Sequence, residues 1–236
     1  MPNETPLADT SVKDLIFQTI STARKRGWNV GFVGAAGVGK TRSISAYAHS
    51  HPRTGLITAT DALGRSPRDL WQTINSEMTG TVGGSTSDIQ EALFDCNFLD
   101  VVLIIDEAQN LPPIQLREIL HLNDRTRLTI VYSGNWEVLK GTKSKRGSWE
   151  QVATRMDIFE AIDGILEEDA DAIAAAFGVI DAQALSLLRR VGKQHHARGV
   201  VRILKDAKER ARDGMVTSVH VRAAIGFFPQ HRSALK

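Results

Sequence analysis

Hydrophobic positions change their spacing repeatedly along this chain, and each change marks an element. Between residues 11 and 26, Val12, Leu15, Ile16, Thr19 and Ile20 fall on one side of a helical period. Arg24, Lys25 and Arg26 add positive charge to the last turn, where exposed carbonyls favour it, and Gly27 ends the helix. Residues 29–33 predict a short strand that enters a glycine-rich turn, and residues 40–50 predict the next helix. Residues 55–59 predict a second strand. Ser66-Pro67-Arg68-Asp69 predicts a helix start, with serine as cap, proline in the first turn and an acid three residues after the cap. Leu70, Ile74 and Met78 then repeat every four residues. Residues 79–87, rich in Gly, Ser and Thr, read as a loop, and residues 89–98 as a helix. The aliphatic run 101–105 is expected of a central parallel strand. Pro112-Pro113 opens a helix to about Asn123, and residues 128–133 give a further strand.

This alternation predicts an α/β fold, a parallel sheet flanked by helices. From about Gly164 the pattern changes: residues 169–177, 181–194, 199–213 and 218–227 all read as amphipathic helices without an intervening strand. The expected division is an α/β domain over residues 1–163 and a small all-α domain over 164–236, for which 236 residues leave room.

Hydrophobic residues at 42% and charged residues at 24% are ordinary globular values and exclude a disordered or disulfide-scaffold chain. The longest aliphatic run is far short of the roughly 18–20 residues of a membrane span, so no membrane partner is expected. The polar opening MPNETPLADT has no basic start followed by an apolar stretch, which reads as no secretory signal. The single cysteine, Cys96, is expected to be a buried core thiol and fits a reducing cytoplasm. Net charge is only +2, but residues 165–236 hold 12 Lys and Arg against 8 Asp and Glu, a mild basic surplus compatible with DNA contact or with a solvated helix surface.

The segment Gly34-Ala35-Ala36-Gly37-Val38-Gly39-Lys40-Thr41 satisfies G-x-x-x-x-G-K-[ST] and lies between a predicted strand and a predicted helix. Glycines let backbone N–H groups turn inward around phosphate oxygens. Lys40 neutralises the outer phosphates, Thr41 offers a hydroxyl to Mg2+, and the helix start adds its dipole; Arg42 follows within that first turn. Asp106 closes the aliphatic strand 101–105 and is the expected carboxylate for the Mg2+ shell. Glu107, one residue on, is expected to polarise water for attack on the terminal phosphate, which favours hydrolysis over transfer to a small molecule. The next strand ends in Ser133-Gly134-Asn135, where Asn135 is either a phosphate or water contact at the ligand edge or part of a turn. His195-His196 has no third ligand at metal spacing.

Together these residues resemble the AAA+ ATPases, and more finely the bacterial transposition-helper branch of the phage Mu B and TnsC-like proteins. The carrying segments are GAAGVGKTRSISAYA at 34–48, LIIDEAQNL at 103–111 and REILHLNDRTRLTIVYSGN at 117–135. EEDADAIAAAFGV at 167–179 and RGVVRILKDAKERA at 198–211 resemble that family's helical lid. The resemblance implies ATP with Mg2+ as cofactors and a sensor role for Asn135. It implies a nucleotide-contacting role for Arg202 in the lid. It places Arg155, with Arg146 as the competing choice, as the arginine that completes a neighbour's active site, so that hydrolysis requires self-assembly into a ring or helical oligomer.

Unlike Mu B, the chain shows no room for an N-terminal helix-turn-helix before its first helix, so DNA contact is expected from the ATPase core. Arg65 and Arg68, in the loop and helix start after the second strand, are one candidate; Lys140, Lys143, Lys145 and Arg146 are the other. Phosphate contacts from such groups bind DNA without sequence preference and with steep salt dependence. The resemblance therefore implies double-stranded DNA and a transposase as partners. The DEAQ sequence also occurs in secretion-associated and remodelling ATPases, which leaves action on protein partners as the alternative.

Overall fold

The computed structural model describes residues 6–135, 151–212 and 214–235. The described residues form two compact units, one built from 16–34, 43–135 and 151–161, the other from 6–15, 35–42, 162–212 and 214–235.

Five strands form the sheet: β1 (Val30–Gly34), β2 (Thr54–Thr58), β3 (Val102–Asp106), β4 (Thr129–Gly134) and β5 (Ile158–Ile162), in the order β2-β3-β4-β1-β5. β1 pairs parallel with β4, β4 with β3, and β3 with β2. Gly134 lies opposite Val33, and Asp106 opposite Thr58, so the C-terminal ends of these strands share one edge. β1, β3 and β4 are buried along their whole length, as their near-continuous apolar sequences require. Pattern reading missed β5, because it is an edge strand with only Ile162 fully buried.

Around the sheet lie α1 (Ser11–Arg26), α2 (Lys40–Ser50), α3 (Asp61–Arg65), α4 (Pro67–Thr79), α5 (Thr86–Phe94) and α6 (Pro113–Thr126). Leu103 and Ile105 of β3 share one core with Leu70, Trp71 and Ile74 of α4 and Leu116, Ile119 and Leu120 of α6. The alternate residues Val102 and Ile104 are equally buried on the opposite face. Ser66 caps α4 as expected, accepting from Asp69 N–H at 3.2 Å. α5 starts three residues before the apolar stripe, at a capping box in which Ser85 and Asp88 exchange side-chain and backbone hydrogen bonds. Those bonds hold the Asp88 carboxyl below its usual range.

Two local expectations are corrected. Arg65 is the last residue of α3, a short helix capped by Thr60, and not part of a loop. Cys96 is half-buried at the rim of the core, its Sγ 3.2 Å from the Ala92 carbonyl, because α5 stops at Phe94.

The second unit contains α7 (Glu167–Ala176), α8 (Ala182–Ala211), α9 (Ser218–Phe227) and a 3-10 segment, Pro229–Leu235. Leu187, Leu188, Val200, Ile203 and Leu204 of α8 meet Ile173 of α7 and Val221 and Ile225 of α9 in its core. Asp169, 2% exposed, accepts from Ser11 N–H at 2.5 Å, Ser11 Oγ at 2.7 Å and Leu166 N–H at 2.8 Å, joining the starts of α1 and α7. Asp181 caps α8 and also accepts from Ser218 N–H at 3.1 Å, which ties it to the start of α9. α8 is broken at His196, whose φ of 56° and ψ of −165° lie outside the helical region.

Candidate nucleotide-binding site

β1 ends at Gly34, the phosphate-loop sequence follows at once, and α2 begins at Lys40. Gly37 and Gly39 have φ of 89° and 113°, values that side-chain-bearing residues rarely adopt, and this turns the loop. Val38 is buried and anchors it, whereas Ala36, Thr41 and Arg42 are exposed. Ala35 N–H donates to the Ile162 carbonyl at 3.1 Å, and Arg198 N–H donates to the Gly37 carbonyl at 2.9 Å. A Cβ at Gly37 would lie 2.9 Å from Arg198 Cβ, so glycine is required there for space as well as conformation. Lys40 is 9% exposed and its Nζ donates to the Ala35 carbonyl at 3.1 Å.

In the sheet unit, Asp106 stands at the end of β3 and is 2% exposed. Its Oδ2 is buried with no hydrogen-bond partner among the described residues. A buried carboxylate oxygen without a donor suits a hydrated Mg2+ ion, for which oxygen ligands are the preferred set. Glu107 follows in the left-handed region, at φ 54° and ψ 38°, and precedes a 3-10 turn over Ala108–Asn110. The Gln109 carboxamide on that turn donates to Glu107 Oε2 and accepts from Asn135 N–H at 3.4 Å. Glu107 and Asn135 are thus brought together through a residue that sequence reading left without a role. The available signal was its position: two residues after the acid, on a turn, Gln109 can reach back to that carboxylate.

The turn is held from below. Asn110 Nδ2 donates to the Ala59 carbonyl at 2.9 Å, and Gln115 Nε2 donates to the Gly64 carbonyl at 3.1 Å. A Cβ on Gly64 would come within 2.2 Å of the Asn110 carbonyl oxygen, so α3 can approach the turn only with glycine there.

The remaining candidates are more dispersed. Arg202 lies on the exposed side of α8, its guanidinium 5.6 Å from the centre of the Phe228 ring. Arg155 is ion-paired with Asp124 of α6, and its carbonyl accepts from Asn29 Nδ2 at 3.2 Å. Arg65 and Arg68 are both exposed, at the end of α3 and in the first turn of α4. Lys140, Lys143, Lys145 and Arg146 lie outside the described residues.

A parallel sheet of this order, with a phosphate loop after β1 and an Asp-Glu pair ending β3, defines a P-loop protein of the AAA+ ATPase class. A family model described as an AAA domain matches residues 29–140. Within that class the chain is related to a phage transposition protein. It is 25% identical over 193 residues to the Mu-like prophage FluMu DNA transposition protein B of Haemophilus influenzae, covering 78% of this chain and 66% of that protein's length. Solved structures share the fold. The ORC2 protein of Aeropyrum pernix, in ADPNP–ADP complexes, aligns with a TM-score of 0.69 at 14% identity, over 96% of this chain and 70% of that one. Domain III of the Thermotoga maritima replication initiation protein DnaA aligns at 0.59 and 15% identity, over 94% of each chain. Among the described residues no helix is long and apolar enough to cross a membrane.

Proposed function

We propose that this chain is an ATP hydrolase that assembles on double-stranded DNA, selects target DNA and activates a partner transposase. Lys40 and the loop amides take the phosphates of ATP. Thr41 and Asp106 would hold Mg2+, which when bound neutralises charge on the phosphate oxygens. Glu107 accepts the proton of the attacking water, Asn135 orients the water or the terminal phosphate, and Arg202 contacts nucleotide from the lid. Arg155 of a neighbouring copy, or Arg146, completes the site, so that hydrolysis is slow until copies assemble. On this reading residues 1–163 act as the ATPase domain and 164–236 as its lid.

The observation that carries the hydrolytic part is Glu107 held by Gln109 directly after the buried Asp106. The DNA role is supported by the relation to transposition protein B. On this reading Arg65, Arg68, Lys140, Lys143, Lys145 and Arg146 contact DNA phosphates, and the protein acts in the cytoplasm. ATP at the interface between copies favours assembly on DNA; hydrolysis favours release.

Sedimentation with duplex DNA tests this reading, at two salt concentrations, with ATP, with ADP, and with the Glu107→Gln variant. ATP and Glu107→Gln are expected to strengthen assembly on DNA, and salt to weaken it. Absence of duplex binding at low salt in every nucleotide state sinks the DNA role and leaves an ATPase that acts on protein partners.

A further inference from the structure

Asp106 does not stand alone at the end of the sheet. Ile105 of β3 pairs with Tyr132 of β4, so the next residues on those strands, Asp106 and Ser133, are neighbours across the parallel pair. Ile105 and Tyr132 belong to the core shared with α4 and α6, and the Tyr132 hydroxyl donates to the Leu116 carbonyl of α6 at 2.7 Å. Side chains alternate along a strand, so Asp106 and Ser133 both leave the opposite face. That is the face of α1: Thr129, four residues before Ser133 on β4, donates from its hydroxyl to the Ala23 carbonyl there at 3.3 Å.

Both side chains are enclosed, Asp106 at 2% exposure and Ser133 at 0%. Each ends in an oxygen with no hydrogen-bond partner among the described residues, Asp106 Oδ2 and Ser133 Oγ. Buried hydroxyls are ordinarily paired, and one left without a partner costs free energy. The direction in which Ser133 can be satisfied is narrow. Its cross-strand neighbour on β1 is Phe32, fully buried and without a polar group on its side chain. Asp106 is left as the polar side. Adjacent strands lie about 4.8 Å apart, so a single water molecule between the two side chains can reach both oxygens.

We propose that Ser133 is a positioning residue for the magnesium-ATP site: its hydroxyl oxygen and Asp106 Oδ2 together receive the two protons of one water molecule in the ion's hydration shell. This rests on the ATPase reading above, in which Asp106 serves Mg2+, and adds a residue that neither the phosphate loop nor the Asp-Glu pair contains. Mg2+ keeps several of its waters when a protein binds it, so groups that fix those waters contribute to its affinity as direct ligands do.

Mn2+ in place of Mg2+ gives the site a spectroscopic signal. The Mn2+ complex of a nonhydrolysable ATP analogue is titrated with the full chain, and electron paramagnetic resonance reports how much of the ion becomes protein-bound. Ser133→Ala should weaken this binding by roughly tenfold. Ser133→Cys keeps the volume but offers only a weak acceptor, and should behave similarly. Binding of the analogue without divalent cation should be unchanged in both. Hydrolysis by Ser133→Ala should fall at limiting Mg2+ and recover at high Mg2+. In the metal-free protein Ser133→Ala should not lower the urea midpoint, because a hydroxyl without a partner has no bond to lose. Asp106→Asn is the control. If it weakens binding of the Mn2+ complex and the Ser133 variants do not, the role of Ser133 is overturned and the ATPase reading stands. If Asp106→Asn also leaves binding unchanged, or the wild-type chain binds no Mn2+ complex, the metal role of Asp106 fails and the role of Ser133 with it. A lowered urea midpoint without metal, at unchanged affinity for the Mn2+ complex, makes Ser133 a packing residue and overturns the proposal.

Discussion

Gln109 donates a hydrogen bond to the carboxylate of Glu107, two residues away on the same turn. Its carboxamide oxygen at the same time accepts from the backbone of Asn135, at the end of the adjacent strand β4. One side chain thus orients the proposed base and ties it to the proposed sensor. A carboxylate free to rotate on an isolated turn would spend much of its time away from the water it has to polarise.

Replacing Gln109 with Leu removes that donor with little change of volume. The turnover number for ATP should fall by up to about a hundredfold, the lower end of what a positioned acid–base group contributes, while KM changes little. In a Glu107→Gln background the same change should have no further effect. A raised KM with unchanged turnover would mean that Gln109 serves binding instead.

Gly64 lies outside the sequence motifs, yet it should be intolerant of change. Gly64→Ala drives a methyl group into the Asn110 carbonyl at 2.2 Å and displaces the turn that carries Gln109. Overpacking of this kind costs about 1–3 kcal/mol, measurable by urea unfolding, and hydrolysis should fall together with stability.

Asp169 should matter to stability rather than to chemistry. Its carboxylate receives three donors, two of them from Ser11. Asp169→Ala leaves those donors without their charged partner and should cost about 2–3 kcal/mol in chemical unfolding. Asp169→Asn, which keeps acceptor capacity on one oxygen, should cost less.

The histidine cluster makes stability depend on pH with a definite sign. His196 and His231 have folded pKa values below the ordinary 6.5, chiefly through burial. Between those lowered values and 6.5 the unfolded chain binds more protons than the folded one. Stability is therefore full above pH 6.5 and declines as the pH falls through that window. Urea midpoints measured from pH 8 down to pH 5 should show the decline, and His231→Gln should reduce it.

What was legible from sequence was chemistry carried by near neighbours. The phosphate loop could be read because glycines, Lys40 and Thr41 act within one turn of chain, and β3 could be read because an aliphatic run ends directly in Asp106. The break in α8 was also legible, as a gap in the apolar pattern between residues 194 and 199. Less was visible where the pattern is weak: β5 buries only part of one face, and α3 is a single short turn around Gly64.

The amino-acid sequence by itself carried the parallel alternation of its elements and the phosphate-loop motif, because both follow from spacing along a helix, strand or loop, and on those motifs rests the resemblance to the AAA+ ATPases. Only the tertiary structure decided that Gln109 joins Glu107 to Asn135, that Arg155 pairs with Asp124, that the Arg198 amide meets Gly37, and that His231 closes on His195. Those pairs are set by strand order and by the path of a kinked helix. Periodicity tells which side of an element is buried; it does not say which distant residue will be found there.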